Sequence, residues 1–278
     1  MSTTVAPAAF GESYIIEPAS TAKHTHTIIL LHGRGSDGEE FAGEFFDSLA
    51  NDDEQVNTAT ANAFFPNFRW VFPSSPSQWD STFKEYMSAW FEAPSLADLP
   101  LGYNIQAQGI RGAVARVQNV LDDEIARLGG QSEKLFLGGI SQGGAIAMIT
   151  LLARRTKKQP HDSSGSDRLA GLIVASTWLP VAADIDEYWA ADASAKDIVA
   201  SSSDRGNTIT ATPVFFGHGV DDAYVDIQLG REACRTFSTI GFENIEWKEY
   251  SGAEQEGHWL QVPNEVNDIA TFVRKHMC

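Results

Sequence analysis

Short runs of apolar, β-rich residues alternate along the chain with longer stretches in which apolar positions recur at helical spacing. The short runs are Thr27–Leu31, Trp70–Phe72, Lys134–Leu137, Leu172–Ala175, Val214–Phe216 and Ile245–Trp247. Unbroken apolar runs of this length suit strands covered on both faces, as in a parallel sheet. Between them, Ile110, Val114, Val117, Leu121 and Ile125 form one helical stripe, and Val262, Val266, Ile269 and Val273 form another near the C-terminus. The alternation predicts an α/β protein whose mostly parallel central sheet is flanked by helices.

Two segments break the pattern. Residues 156–168 are polar and rich in Ser, Lys and Asp, and residues 184–207 are acidic, Ala/Ser-rich and weakly periodic. Both read as surface insertions on one domain spanning residues 1–278, because neither neighbours an apolar set large enough for a second core. No internal repeat is evident.

The 278 residues carry a formal charge of −17, which disfavours nucleic acid and anionic lipid surfaces as partners. The basic cluster Arg154, Arg155, Lys157 and Lys158 ends an apolar helical stretch, where cations complement the helix dipole. The first residues lack the basic and apolar regions of a secretory leader, and no apolar run reaches spanning length, so stable membrane insertion is not expected. Cys234 and Cys278 are the two cysteines, a poor disulfide framework for this length. A reducing cytoplasm is the expected location.

The strongest chemical signal is Gly139-Ile140-Ser141-Gln142-Gly143-Gly144. It follows a strand run and precedes the helical run Ala145–Ile149. Strand, tight turn and helix are the context in which a serine is held in strained geometry with its hydroxyl exposed, and flanking glycines avoid collision with neighbouring backbone. An ordinary Gly-rich turn is the bland alternative.

A hydroxyl needs a base, and the base an orienting acid. Among seven histidines, His24 and His26 precede the first strand without a third metal ligand, His32 lies ahead of the serine, His161 falls in a polar insertion and His276 is almost terminal. His258 follows the turn-rich segment Ser251–Gly257 after the last strand run and precedes the C-terminal helix, so it is the candidate base. Strand run Val214–Phe216 leads into Gly217-His218-Gly219-Val220-Asp221-Asp222, and either aspartate qualifies as the acid. The chain order serine, acid, histidine suits an α/β-hydrolase. Backbone N–H groups are expected to stabilise the oxyanion: that of Gln142, after the nucleophile, and that of Arg34, in the turn His32-Gly33-Arg34-Gly35. No metal or cofactor is called for.

That turn extends to Gly38 and also fits a dinucleotide-binding fingerprint, with Asp52, Asp53 and Glu54 downstream. Asp37, Glu39 and Glu40 would repel a pyrophosphate, and this alternative leaves Ser141, His258 and the aspartates unexplained. A second alternative is a hydrolase-fold protein that binds an acyl ligand without turnover.

Taken together, Leu31–Asp37, Gly139–Ala145, Thr177–Pro180, Gly219–Val225 and His258 resemble the phospholipase/carboxylesterase family that includes acyl-protein thioesterases. The resemblance covers most of the chain and implies a serine hydrolase of carboxylic esters or thioesters, acting on a small acyl substrate, an acylated protein or a lysophospholipid. It selects Asp222 over Asp221 as the acid. It also assigns the second oxyanion donor to Arg34, where many members carry leucine. Ser88-Ala89-Trp90-Phe91-Glu92 resembles a segment that lines the family's substrate groove, with Glu92 in place of the usual aspartate. The resemblance thus makes Trp90, Phe91, Trp178 and Leu179 candidate groove residues. Trp79, Phe83, Tyr86 and Met87 are further candidates, with core packing equally expected for Trp79 and Phe83. The chain departs from the family in a longer segment between Pro180 and Val214, an extended Tyr250–His258 loop and Ala223 in place of a common proline. The longer segment is a candidate lid.

Overall fold

The computed structural model describes residues 9–49, 63–93, 95, 103–154, 168–180 and 209–277. The expected insertion at 184–207, nearly all of that at 156–168, and the basic side chains beyond Arg154 lie outside the described residues. Nine strands and five α-helices of more than one turn are defined among those described. In chain order they are β1 (Tyr14–Ile16), β2 (His26–Leu31), α1 (Gly38–Leu49), β3 (Phe68–Phe72), β4 (Ser77–Asp80), β5 (Glu85–Ser88) and α2 (Tyr103–Arg127). Then come β6 (Leu135–Ile140), α3 (Gln142–Ala153), β7 (Gly171–Ala175), β8 (Val214–Gly219), α4 (Ile227–Ile240), β9 (Ile245–Tyr250) and α5 (Asn264–His276).

Seven strands form one sheet in the order β1-β3-β2-β6-β7-β8-β9. Its pairings are parallel except for β1, which runs antiparallel to β3 with Tyr14 opposite Phe72. The apolar runs are unbroken because alternate side chains enter two different cores. On β2, Ile29 and Leu31 face one core while Ile28 and Leu30 face the other; on β6, Leu135 and Leu137 oppose Phe136.

The first core is closed by α2, α3 and α4 through residues such as Val117, Ile146 and Phe237. The second is closed by α1 and α5 through Phe45, Phe46, Ile269 and Phe272. Helix α3 is apolar on every side and buried from Gln142 to Leu152, pressed between the sheet and α2. Truncating a core side chain such as Phe136 to Ala would cost about 3–5 kcal/mol.

Strands β4 and β5 form a separate antiparallel hairpin, with Trp79 opposite Tyr86. Its aromatics are not core: Trp79 is 49% exposed, Phe83 54% and Tyr86 73%. Cys234 on α4 is a free, half-buried thiol whose pKa burial raises. Among the described residues no helix is long and apolar enough to cross a membrane.

Candidate active site

Parallel strands deliver their C-terminal ends to one edge of the sheet, and three of those ends carry the candidate side chains. β6 runs directly into Ser141, β8 into the turn containing Asp222, and β9 into the loop bearing His258.

Ser141 sits between β6 and α3 at φ 53° and ψ −125°, a conformation rare for a residue with a side chain. Its neighbours hold it there. The Ser141 N–H donates to the Ala175 carbonyl (3.0 Å), and the Thr177 hydroxyl donates to the Ser141 carbonyl (2.6 Å). The motif glycines answer to crowding: a Cβ at Gly143 would lie 2.2 Å from the Leu31 carbonyl oxygen and 2.5 Å from that of His32, and one at Gly139 would lie 2.6 Å from the former.

His258 donates through Nδ1 to Asp222, at 2.8 Å from Oδ2 and 3.0 Å from Oδ1. The Asp222 side chain is fully buried, and its Oδ1 also accepts from the N–H groups of Tyr224 and Val225 (both 2.9 Å). Burial alone would raise its pKa. Hydrogen bonds from His218 and His258, the charge of His258 and the Val225 amide outweigh it and hold the carboxyl well below the usual range.

Asp221 does different work. Its Oδ2 accepts from the Gly252 N–H at 2.8 Å, tying the acid turn to the histidine loop. The same loops are joined by the Ala223 N–H on the Glu256 carbonyl (3.1 Å). Gly257, at φ 83°, completes the junction, since a Cβ there would lie 2.7 Å from the Asp221 carbonyl.

Gln142 is the first residue of α3, where N–H groups have no intrahelical acceptor. Arg34 occupies the turn after β2, opposite the serine, and both residues line the same cavity as Ser141 and His258. The turn is braced from within by His32, which sequence reasoning passed over. The Ser75 N–H donates to His32 Nε2 (3.0 Å), so Nδ1 carries the proton and donates to the Gly33 carbonyl (2.6 Å). Burial pulls this imidazole down to about 4, keeping it neutral. A histidine extending a buried strand run was the available signal.

The cavity encloses about 550 Å³. Its apolar lining includes Phe41, Phe83, Met87, Ala93, Ile140 and Trp178, and its polar lining includes Arg34, Glu44, Gln255 and Glu256. Of the four groove candidates, Trp178 reaches this wall. Trp90, Phe91 and Leu179 are not among the residues that line it and are buried in the adjoining core. Trp90 donates from Nε1 to the His32 carbonyl (2.9 Å), fixing the Arg34 turn. The Trp90 N–H and Phe91 carbonyl hold the two ends of the Gln142 amide at 3.1 and 2.9 Å. Phe91 stacks edge-on against Trp178. Trp79, Phe83 and Tyr86 project instead from the hairpin, where Phe83 and Met87 reach the cavity. The Arg34 guanidinium pairs with Asp80 (3.2 Å) and lies 5.0 Å from the Phe83 ring centroid, joining the turn to that hairpin.

The turn at Gly33–Gly38 is not built for a pyrophosphate. Asp37 Oδ1 accepts from the N–H groups of Glu39 and Glu40 (both 2.9 Å), occupying the α1 N-terminus with a carboxylate.

Residues 12–277 match the profile of a family described as Phospholipase/Carboxylesterase. Among curated proteins, acyl-protein thioesterase 1 of Cryptococcus neoformans is 29% identical over 266 residues, covering 90% of this chain and 92% of that protein. Carboxylesterase SOBER1 of Arabidopsis thaliana is 26% identical over 251 residues, covering 90% of each. Among solved structures, acyl-protein thioesterase 2 of Zea mays superposes with a TM-score of 0.68 at 23% identity, covering 96% of this chain and all of that one. That likeness shows the α/β-hydrolase fold.

Proposed function

Because the chain belongs to the phospholipase/carboxylesterase family and is a serine hydrolase of carboxylic esters or thioesters, we propose that Ser141, His258 and Asp222 carry its acyl transfer. The observation that carries this reading is the His258 Nδ1 bond to buried Asp222, on a loop that shares one cavity with the strained Ser141 turn.

With Nδ1 engaged, Nε2 of His258 is the nitrogen left to accept the Ser141 proton as Oγ attacks the acyl carbonyl. The carbonyl electron pair moves onto its oxygen, where the N–H groups of Gln142 and Arg34 stabilise the charge. Collapse expels the alcohol or thiol, which takes the proton back from His258. Water, deprotonated by the same imidazole, then releases the acid and restores Ser141. None of these steps calls for a cofactor.

The substrate on this reading carries an acyl chain of medium or greater length. The apolar wall formed by Phe41, Phe83, Met87 and Trp178 supports it, within a cavity of ligand-binding size. An acylated protein and a lysophospholipid both present such a chain. The charge of −17 disfavours nucleic acid, and sparse cysteines fit work in the cytoplasm, which cell fractionation would test.

A hydrolysis panel crossing acyl length with alcohol and thiol leaving groups, with Ser141→Ala as the blank, tests the proposal. Turnover that rises from acetyl to longer chains and disappears in the blank is expected. A preference for acetyl would remove the acyl-length assignment, and a fully active Ser141→Ala would remove the nucleophile.

A further inference from the structure

His218 stands at the end of β8, 1% exposed, four residues before Asp222. Its Nε2 lies 2.9 Å from the Val225 carbonyl oxygen, which only accepts, so Nε2 carries a proton. That same nitrogen lies 3.5 Å from Asp222 Oδ2. The nitrogen bonded to Val225 at one end of the Asp222–Val225 turn thus also lies close to the carboxylate at its other end.

The ring is held from two further elements. On α4, Gly230 abuts it so closely that a Cβ there would lie 2.3 Å from His218 Nδ1. On β9, Trp247 packs against it at 6.3 Å between ring centroids. Among the described residues the charged groups around it are Asp222 itself and Glu249 on β9, whose carboxylate is engaged by Trp247 Nε1 and Arg231. Asp221 and Asp226 turn away, to the N–H groups of Gly252 and Gln228.

Around Asp222, the Tyr224 and Val225 amides serve Oδ1, while His258 reaches both oxygens. His218 is the side chain that approaches Oδ2 from the sheet. We infer that His218 is a positioning residue of the reaction, holding the Asp222–Val225 turn so that the carboxylate receives the His258 imidazole in its working orientation. The inference rests on the triad reading above. A histidine that merely filled space would be replaceable by a side chain of similar bulk.

The test compares His218→Gln, His218→Asn and His218→Met in the full chain. A glutamine amide reaches roughly the position of Nε2, whereas an asparagine amide stops near Nδ1 and methionine offers no donor. Glutamine is expected to retain most of kcat. Asparagine and methionine are expected to lose kcat by about 10²-fold, the usual cost of misplacing a reacting group, with KM nearly unchanged. The strongly downfield proton resonance expected of a His258 Nδ1–H bound to Asp222 should persist in the glutamine variant and fade in the other two.

Wild-type kcat in His218→Met, or an intact resonance in all three variants, would overturn the inference. If asparagine or methionine prevents folding, Gly230→Ala displaces the ring from the α4 side and should give the same fading, while an unaltered resonance there overturns it equally. Persistent activity in Ser141→Ala would defeat the triad reading itself, a result separate from any of these.

Discussion

Nδ1 of His258 lies 2.8 Å from Oδ2 of Asp222, while the adjacent Asp221 turns its carboxylate to the Gly252 N–H. Strand-and-turn placement alone leaves the two neighbouring aspartates equivalent and the family resemblance selects Asp222; the turn aims the two carboxylates at different partners. Asp222→Asn should lower kcat by roughly 10⁴, because an amide facing Nδ1 favours the wrong imidazole tautomer. Asp221→Asn removes the charge but keeps an oxygen to accept from the Gly252 N–H at this exposed position, and should leave kcat near wild type, with a stability change of about 0.5 kcal/mol or less. Steady-state kinetics and thermal melts of the two variants, side by side, check the pair.

Gly143 and Gly43 should respond to alanine in opposite directions. At Gly143 the new Cβ would meet the backbone oxygens of Leu31 and His32 at 2.2 and 2.5 Å, atoms that cannot swing aside. Overpacking of that kind costs about 1–3 kcal/mol, and the Arg34 turn would shift with it, so turnover should fall as well. Gly43 is exposed within α1 with nothing within 4 Å of a Cβ, and alanine there should stabilise by about 0.5–1 kcal/mol with activity intact. Chemical denaturation of both variants decides the matter.

Glu265 gives the fold a pH dependence. It is buried at the start of α5, accepts from the Gln261 N–H through Oε2, and has no partner for Oε1. Burial, partly offset by that amide and reinforced by Asp268, pushes its carboxyl up to about 7. The folded state therefore binds a proton that the unfolded chain releases near the ordinary carboxyl value of 4.5. Its contribution to stability is full below that value and is lost as pH rises towards 7. Glu265→Gln, which stays neutral, should match wild type in relative terms at acid pH and gain on it above neutrality by up to about 3 kcal/mol. Melting temperatures of both proteins from pH 5 to pH 8 supply the check; a constant difference across that range would contradict the assignment.

What the chain announced in advance follows from burial. Strands covered on both faces must be apolar throughout, so β2, β6, β7 and β8 stand out as runs, and the serine turn is marked by glycines that backbone crowding requires. Three-residue β1 and the β4–β5 hairpin lie outside the main parallel stack, and their mixed polar and aromatic residues carry no such mark. For the same reason Trp79 and Phe83 are ambiguous in sequence: whether an aromatic is core or surface depends on what packs over it, and among the described residues little packs over this hairpin. Trp90 and Phe91 connect to the proposed site through what they hold, the His32 carbonyl and the Gln142 amide. His32 and His218 were obscured because each ends or extends an apolar strand. Their polar edges acquire meaning once neighbouring strands bring Ser75 and Val225 to them.

In the proposed mechanism Ser141 is a nucleophile activated by His258, itself oriented by Asp222. The most direct test of this is site-resolved covalent labelling of the intact protein with a fluorophosphonate, read by peptide mass spectrometry. A single adduct on the peptide containing Ser141, absent in Ser141→Ala and strongly slowed in His258→Ala, is the predicted result. Labelling that survives Ser141→Ala together with ester turnover, or that proceeds at the wild-type rate without His258, would contradict it.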